Sequence, residues 1–249
     1  MMRTSINAAA EVLAAANMTV ALTGAGISVE SGIPPFRGKG GLWEKFDPMT
    51  FAHIDAFRRD PETVWNVLLK TLNDTLIHAR PNRAHKGLAE LERRGCLRAV
   101  ITQNVDGLHQ AAGSREVIEF HGSMASQRCL SCEQGAPTTA VDLRQLPPRC
   151  DCGGVLRPEI VFFGEAIPMA ALHNSQQFAR MCDAILVVGT SATVEPAASI
   201  PHIAKQHGAR VIEINPEPTP LTDSISDHTL MGPAGEMVSR LVQAVAANL

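Results

Sequence analysis

Four cysteines cluster in the middle of the chain: Cys129 and Cys132 enclose two residues, and seventeen residues later Cys150 and Cys152 enclose one. Close thiolate pairs at ribbon spacing suit tetrahedral zinc. Four thiolates leave the metal no open position, so one Zn2+ here would be structural rather than catalytic. The second arm is a residue shorter than the usual pair, and Gly153-Gly154 directly after it could supply the freedom for a tighter turn. Two disulfides or free thiols are the alternatives. Cys96 and Cys182 sit at the edges of apolar stretches and read as small buried hydrophobes.

Three other places carry polar groups suited to chemistry. Gly24-Ala25-Gly26 follows an apolar run and precedes an expected helix, so its backbone could approach a pyrophosphate at a helix N-terminus. Position 29 is Val, so the third glycine of a dinucleotide fingerprint is absent, and no acidic residue follows a second strand at the expected distance. A hydride-transferring enzyme is thereby disfavoured, and a plain turn remains open. Gln103, Asn104 and Asp106 begin where an expected strand ends, offering amides and a carboxylate to a carboxamide or sugar hydroxyls. His121 ends the next expected strand and should reach the same crevice, with the side chain best suited to moving a proton near pH 7.

The elements needed to position these groups can be read from periodicity. Residues 5–16 read as an opening helix, and 18–22 as a short buried strand. Residues 32–41 hold four glycines and two prolines and read as loop. From Pro61, the residues Trp65, Leu68, Leu69, Leu72 and Leu76 lie on one helical face, and a second helix with Ala84, Leu88 and Leu91 follows Pro81-Asn82. Strands are expected at 97–102, 117–120, 184–188 and 211–214, and helices at 169–181, 195–207 and 234–247. Strands alternating with helices imply βαβ units and a parallel sheet covered on both faces. Residues 122–157 break that rhythm and read as an inserted module.

Composition narrows the function. The chain has 249 residues, with 45% apolar and 19% charged side chains, enough for a sizeable core without disulfides. Its formal net charge is -3, which argues against a general nucleic-acid binder. The basic residues between Arg80 and Arg98 are interrupted by Glu90 and Glu92 and read as a solvated helix face. No apolar run is long enough to span a membrane. Arg3 is present, but Glu11 and Asn17 interrupt any signal-like apolar segment, so a cytoplasmic protein with reduced thiols is expected.

These motifs, taken in order, resemble the sirtuins along almost the whole chain. The matching segments are 24–28, 32–37, 102–109, 120–122, the four cysteines, 157–165, Gly189-Thr190-Ser191 with Val194-Glu195-Pro196, and Ile214-Asn215. The resemblance implies an NAD-dependent protein-lysine deacylase on a split α/β fold. A Rossmann-like parallel sheet with helices on both faces would comprise residues 1–36, 81–121 and 158–249. A small domain, made of a helical insert (37–80) and a zinc ribbon (122–157), would complete it. NAD would be consumed: the acyl oxygen captures the ribose carbon, nicotinamide leaves, and water finishes the sequence, giving free lysine and O-acyl-ADP-ribose. His121 would act as general base, Asn104 and Asp106 would hold the nicotinamide carboxamide, and Gln103 the ribose. Phe36 would shield the reactive face and Arg37 order the cofactor loop. Gly24, Ala25, Gly26, Gly189, Thr190, Ser191, Asn215 and Ala234 would line the rest of the NAD site. An acyl-lysine peptide would pair as a strand between Val161, Phe163 and Gly164 on one side and Val194 on the other. A monomer is expected, without nucleic acid or membrane as partner.

The resemblance also implies a substrate preference. Sirtuins that remove succinyl or malonyl groups carry a Tyr and an Arg three residues apart in the small-domain helix. This chain has no tyrosine, and alignment on Trp65 places Leu68 and Thr71 there. Apolar acyl groups should therefore be favoured, since an acyl carboxylate would be left unpaired. The same scaffold could instead serve a protein ADP-ribosyltransferase. A zinc-ribbon binding module on an idle dinucleotide fold is a third reading, disfavoured by the charge and by the scarcity of basic and aromatic residues near the cysteines.

Overall fold

The computed structural model describes residues 5–38 and 40–248; Arg3 lies outside them. The chain opens with α1 (Ile6–Ala15), β1 (Thr19–Thr23) and a 3-10 stretch, Ala25–Ser31. A run of short helices follows: α2 (Leu42–Lys45), α3 (Pro48–Phe51), α4 (Ile54–Arg59), α5 (Pro61–Val64), the π-helical turn Trp65–Leu69 and α6 (Lys70–His78). Next come α7 (Arg83–Arg93), β2 (Ala99–Thr102), α8 (Leu108–Ala112), β3 (Val117–Glu119), β4 (Gly122–Cys129), β5 (Gly135–Pro137) and β6 (Leu156–Ile160). The chain closes with α9 (Met169–Met181), β7 (Ala184–Val188), α10 (Ser199–Gln206), β8 (Arg210–Asn215), β9 (His228–Met231) and α11 (Ala234–Ala246).

Six parallel strands make one sheet in the order β3-β2-β1-β7-β8-β9. Every residue of β1, β2 and β7 is buried, because helices cover both faces. Ala21, Val100, Leu186 and Ile212 point to the face that packs on α1, α7 and α11, where Leu13, Leu88, Leu91 and Leu241 complete the layer. Val20, Leu22, Ile101, Ile185 and Val211 point to the opposite face, against Ile200, Ala204 and Ala179 of α10 and α9. The order reverses between β1 and β7, and open α/β sheets bind ligands in the crevice at such a switch point.

A second, antiparallel sheet of β5, β4 and β6 carries the cysteines. It shares a core with the helical segment α2–α6, in which Phe57, Trp65, Leu68 and Leu69 pack with Met124 and Phe162. Trp65 joins the two parts directly, since its indole Nε1 donates to the Leu156 carbonyl at 3.0 Å. A side chain so buried would cost about 3–5 kcal/mol to truncate.

Three local expectations change. The helix expected after Gly26 is a 3-10 stretch, closed by Gly32 in the left-handed region at φ 85°. The helix from Pro61 contains a π turn at Trp65–Leu69, which apolar spacing cannot reveal. The helix expected from residue 195 begins only at Ser199, and Pro201 falls in its first turn, where no N–H is needed. Strand β9 was not expected, because only Leu230 of its four residues is buried and the alternation is weak.

Candidate functional site

A cavity of about 1060 Å³ opens at the carboxyl ends of the central strands and extends to the helical segment and the β6–α9 loop. Its floor is set by glycines. Gly24 N–H donates to the Val188 carbonyl at 3.1 Å, and Gly26 N–H to the Gly189 carbonyl at 2.8 Å. A Cβ on Gly26 would lie 2.7 Å from that same carbonyl oxygen, so the β1 and β7 loops meet only because neither bears a side chain there. Thr190, Ser191, Asn215 and Ala234 extend the wall, with Ala25 on the near side.

Gln103 and Asn104 follow β2. Gln103 Nε2 donates to Thr190 Oγ1 at 3.0 Å, across the strand gap. Asn104 Nδ2 donates to the Gly24 carbonyl at 3.2 Å and to Ser28 Oγ at 3.1 Å. Asp106 does not line the cavity. It sits one layer behind, where Oδ2 accepts the Ser28 hydroxyl at 2.7 Å and Oδ1 accepts the Leu108 N–H at 2.9 Å.

Behind Asn104 lies a polar network that sequence reasoning passed over. His85 Nδ1 accepts the Asn82 N–H at 3.3 Å, which leaves its Nε2 proton facing Ser28 Oγ at 3.4 Å. The Thr23 hydroxyl donates to Thr102 Oγ1 and so receives His109 Nε2, each at 2.9 Å. The two imidazoles stack edge to face, 4.9 Å apart. Burial pushes His85 down to about 4, against some upward pull from Asp106, and pushes His109 down to about 3. Both are therefore neutral at pH 7. The spacing Asn82-x-x-His85 was the available signal: it is a capping box with His in place of Glu or Gln.

His121 follows β3 and lines the cavity. Its Nδ1 lies 3.1 Å from the Gln103 carbonyl oxygen; a carbonyl can only accept, so Nδ1 carries the proton and Nε2 remains free. Burial lowers its pKa, partly offset by that hydrogen bond, which suits a base that is neutral near pH 7.

Val161, Phe163 and Gly164 line one side of the opening and Val194 the other. The first segment is held by a bidentate pair, Arg157 to Glu165 at 2.6 and 2.8 Å. Phe36 stacks at 5.1 Å on Trp43 beneath the opening, and exposed Arg37 stands at the rim. Leu68 faces the cavity, but Thr71 is exposed and turned back to the Val67 carbonyl. The second lining residue from this helix is Leu72, four residues on and on the same helical face.

The four ribbon cysteines bring all their sulfurs within 4.8 Å of one another. Cys129 Sγ lies 3.5 Å from Cys152 Sγ, and Cys132 Sγ lies 3.7 Å from Cys150 Sγ. Disulfide sulfurs would sit about 2.05 Å apart, whereas thiolates about 2.3 Å from a common tetrahedral centre are spaced much as seen here. One structural Zn2+ fits the donor set. A Cβ on Gly154 would come within 2.6 Å of Cys129 Sγ, so that glycine makes room for the sulfur. Backbone N–H groups of Cys132 and Ser131 hold the Cys129 thiol down to about 6.

Comparison with known proteins gives consistent results. The Sir2 family pattern matches residues 24–196. An NAD-dependent protein deacylase 2 of Pyrobaculum aerophilum is 49% identical over 243 residues, which cover 96% of this chain and 96% of its own. A Sir2 homolog solved as an NAD complex superposes with a TM-score of 0.91 at 46% identity, over 99% of this chain and 96% of that one. Sir2Af2 bound to a myristoylated histone peptide superposes with a TM-score of 0.80 at 38% identity, over 98% and 97%.

Proposed function

The chain belongs to the Sir2 family, and from that membership together with its cavity we infer that it is an NAD-dependent protein-lysine deacylase. One observation carries the reading. His121, with Nδ1 committed to the Gln103 carbonyl, lines the same cavity as the glycine loops at β1 and β7 and the peptide-facing segments at 161–164 and 194. A base, a dinucleotide floor and a strand-sized opening thus converge on one space.

Bound NAD supplies a glycosidic bond whose cleavage exposes an electrophilic ribose carbon. The chain's residues do the rest. His121 Nε2 takes a proton from a ribose hydroxyl, and neutral imidazole is the form ready to do so. Gln103 presents its amide to the ribose, and Asn104, with Asp106 bonded to Ser28 beside it, is placed to meet the nicotinamide carboxamide. Gly24, Gly26 and Gly189 bring backbone close to the phosphates. Phe36 and Trp43 keep water from the reacting face. The peptide backbone pairs with segments 161–164 and 194, which gives affinity with little sequence preference. Leu68 and Leu72 make an apolar wall for the acyl group, which supports acetyl and longer apolar chains over succinyl or malonyl.

The division into a Rossmann-like domain (1–36, 81–121, 158–249) and a small domain (37–80, 122–157) is part of this reading; the boundary at 157/158 falls inside β6. Action without nucleic acid is supported by the net charge of -3, and a reducing, cytoplasmic setting by cysteines spaced for metal rather than disulfides. No helix among the described residues is long and apolar enough to cross a membrane. The decisive experiment is incubation with NAD and an acetyl-lysine peptide, with mass analysis of both products. Free nicotinamide, deacetylated peptide and O-acetyl-ADP-ribose are expected. ADP-ribosylated protein without deacetylation would overturn the reading.

A further inference from the structure

The carboxylate of Glu213 has no part in the chemistry above, yet it is 1% exposed in the middle of β8, two residues before Asn215. Its oxygens receive three hydroxyls from one downstream segment. Thr219 Oγ1 donates to Oε1, while Thr222 Oγ1 and Ser226 Oγ donate to Oε2, each at 2.9 Å. Two of these hydroxyls also accept backbone N–H groups of the same segment: Thr219 Oγ1 from Leu221 at 3.1 Å, and Thr222 Oγ1 from Thr219 at 2.8 Å. Their protons are thereby directed onto Glu213, which as a carboxylate only accepts.

The other side of this segment faces the cavity, at Pro216, Glu217, Pro218, Thr219 and Pro220. Three of those five residues are prolines and offer no N–H, so the segment has few ways to secure its own backbone. The Asn215 side chain adds one bond, Nδ2 to the Glu217 carbonyl at 2.8 Å. The geometry points to Glu213 as a positioning residue that, through Thr219, Thr222 and Ser226, holds the 216–220 wall against the dinucleotide and sets NAD affinity without touching the reacting atoms. This rests on the NAD-dependent reading above.

The test compares wild type with Glu213→Ala, Glu213→Gln and Ser226→Ala, varying NAD at saturating acetyl peptide and then the reverse. KM for NAD should rise about tenfold in Glu213→Ala and about threefold in Ser226→Ala, with kcat and peptide KM within about twofold of wild type. Glu213→Gln keeps one acceptor oxygen and should fall between Glu213→Ala and wild type. A merely structural role would move kcat and both KM values together, and that result, or an unchanged KM for NAD in folded variants, overturns the proposal. If Glu213→Ala fails to fold, Thr222→Val and Ser226→Ala carry the same readout. Calorimetric titration with NAD keeps the outcome separate from turnover. Were wild type to bind NAD without deacylating, the functional reading would fail, while Glu213 would stand or fall on the loss of NAD affinity alone.

Discussion

His121 Nδ1 stands 3.1 Å from the carbonyl oxygen of Gln103, so the residue after β3 is oriented by the residue after β2. The bond fixes the tautomer and leaves Nε2 free for the proposed role of base. His121→Ala should lower kcat by about 10²–10⁴-fold and leave the fold intact. Because burial lowers the imidazole pKa, the acidic limb of the pH–rate profile should lie below pH 6.5. An acidic limb centred above pH 7 would contradict the assignment.

Zinc should be bound at one ion per chain and should hold the ribbon together. Chelation, or Cys129→Ser, should lower Tm, since structural zinc contributes folding free energy directly. A phosphine reductant without thiols should leave Tm unchanged, because the sulfurs are spaced for metal and not for disulfides. Full thermal stability and activity in metal-free protein would remove zinc from the account.

If Leu68 and Leu72, which line the cavity, meet the acyl group as proposed, they set substrate choice. Burying a succinyl carboxylate there without a partner would cost at least about 3 kcal/mol, or roughly 100-fold in kcat/KM relative to acetyl-lysine. Equal turnover of succinyl- and acetyl-lysine peptides would show that another group meets the charge.

The buried imidazoles make stability depend on pH. His85 is held down to about 4 and His109 to about 3, against an ordinary 6.5, in both cases chiefly by burial. The unfolded chain therefore takes up protons that the folded chain refuses as pH falls below 6.5. The stability these groups contribute is complete above that pH and is lost progressively below it. Urea unfolding between pH 6.5 and 4.5 should show a fall on the order of 1–3 kcal/mol per pH unit, and His109→Gln should flatten it. A level profile across that range in the wild type would count against neutral burial.

Much of the fold is legible in the residues themselves. The buried runs at 184–188 and 211–214 mark parallel strands, and the helix at 169–181 has the bounds its pattern implies. The spacing of the four cysteines points to a metal, and the folded distances between their sulfurs exclude disulfides. Weakly patterned elements escape: β9 buries one residue in four, and the π turn at Trp65–Leu69 leaves no periodic mark.

Local pattern was enough to determine five of the six strands of the sheet, the glycine turns, the close pairing of the four cysteines and the strand ends on which Gln103, Asn104 and His121 stand, because each depends on near neighbours and on period. Depth and partnership were decided only by tertiary packing. That Asp106 lies behind the cavity rather than on its wall depends on Ser28, 78 residues away. That Ser28 meets His85 and His109 meets Thr23 depends on segments 57 and 86 residues apart. That Leu72 and not Thr71 lines the cavity, and that Glu213 receives hydroxyls from Thr219, Thr222 and Ser226, has the same origin. Hydrogen-bond partners and burial are properties of segments brought together by the core, and no spacing along the chain encodes which ones meet.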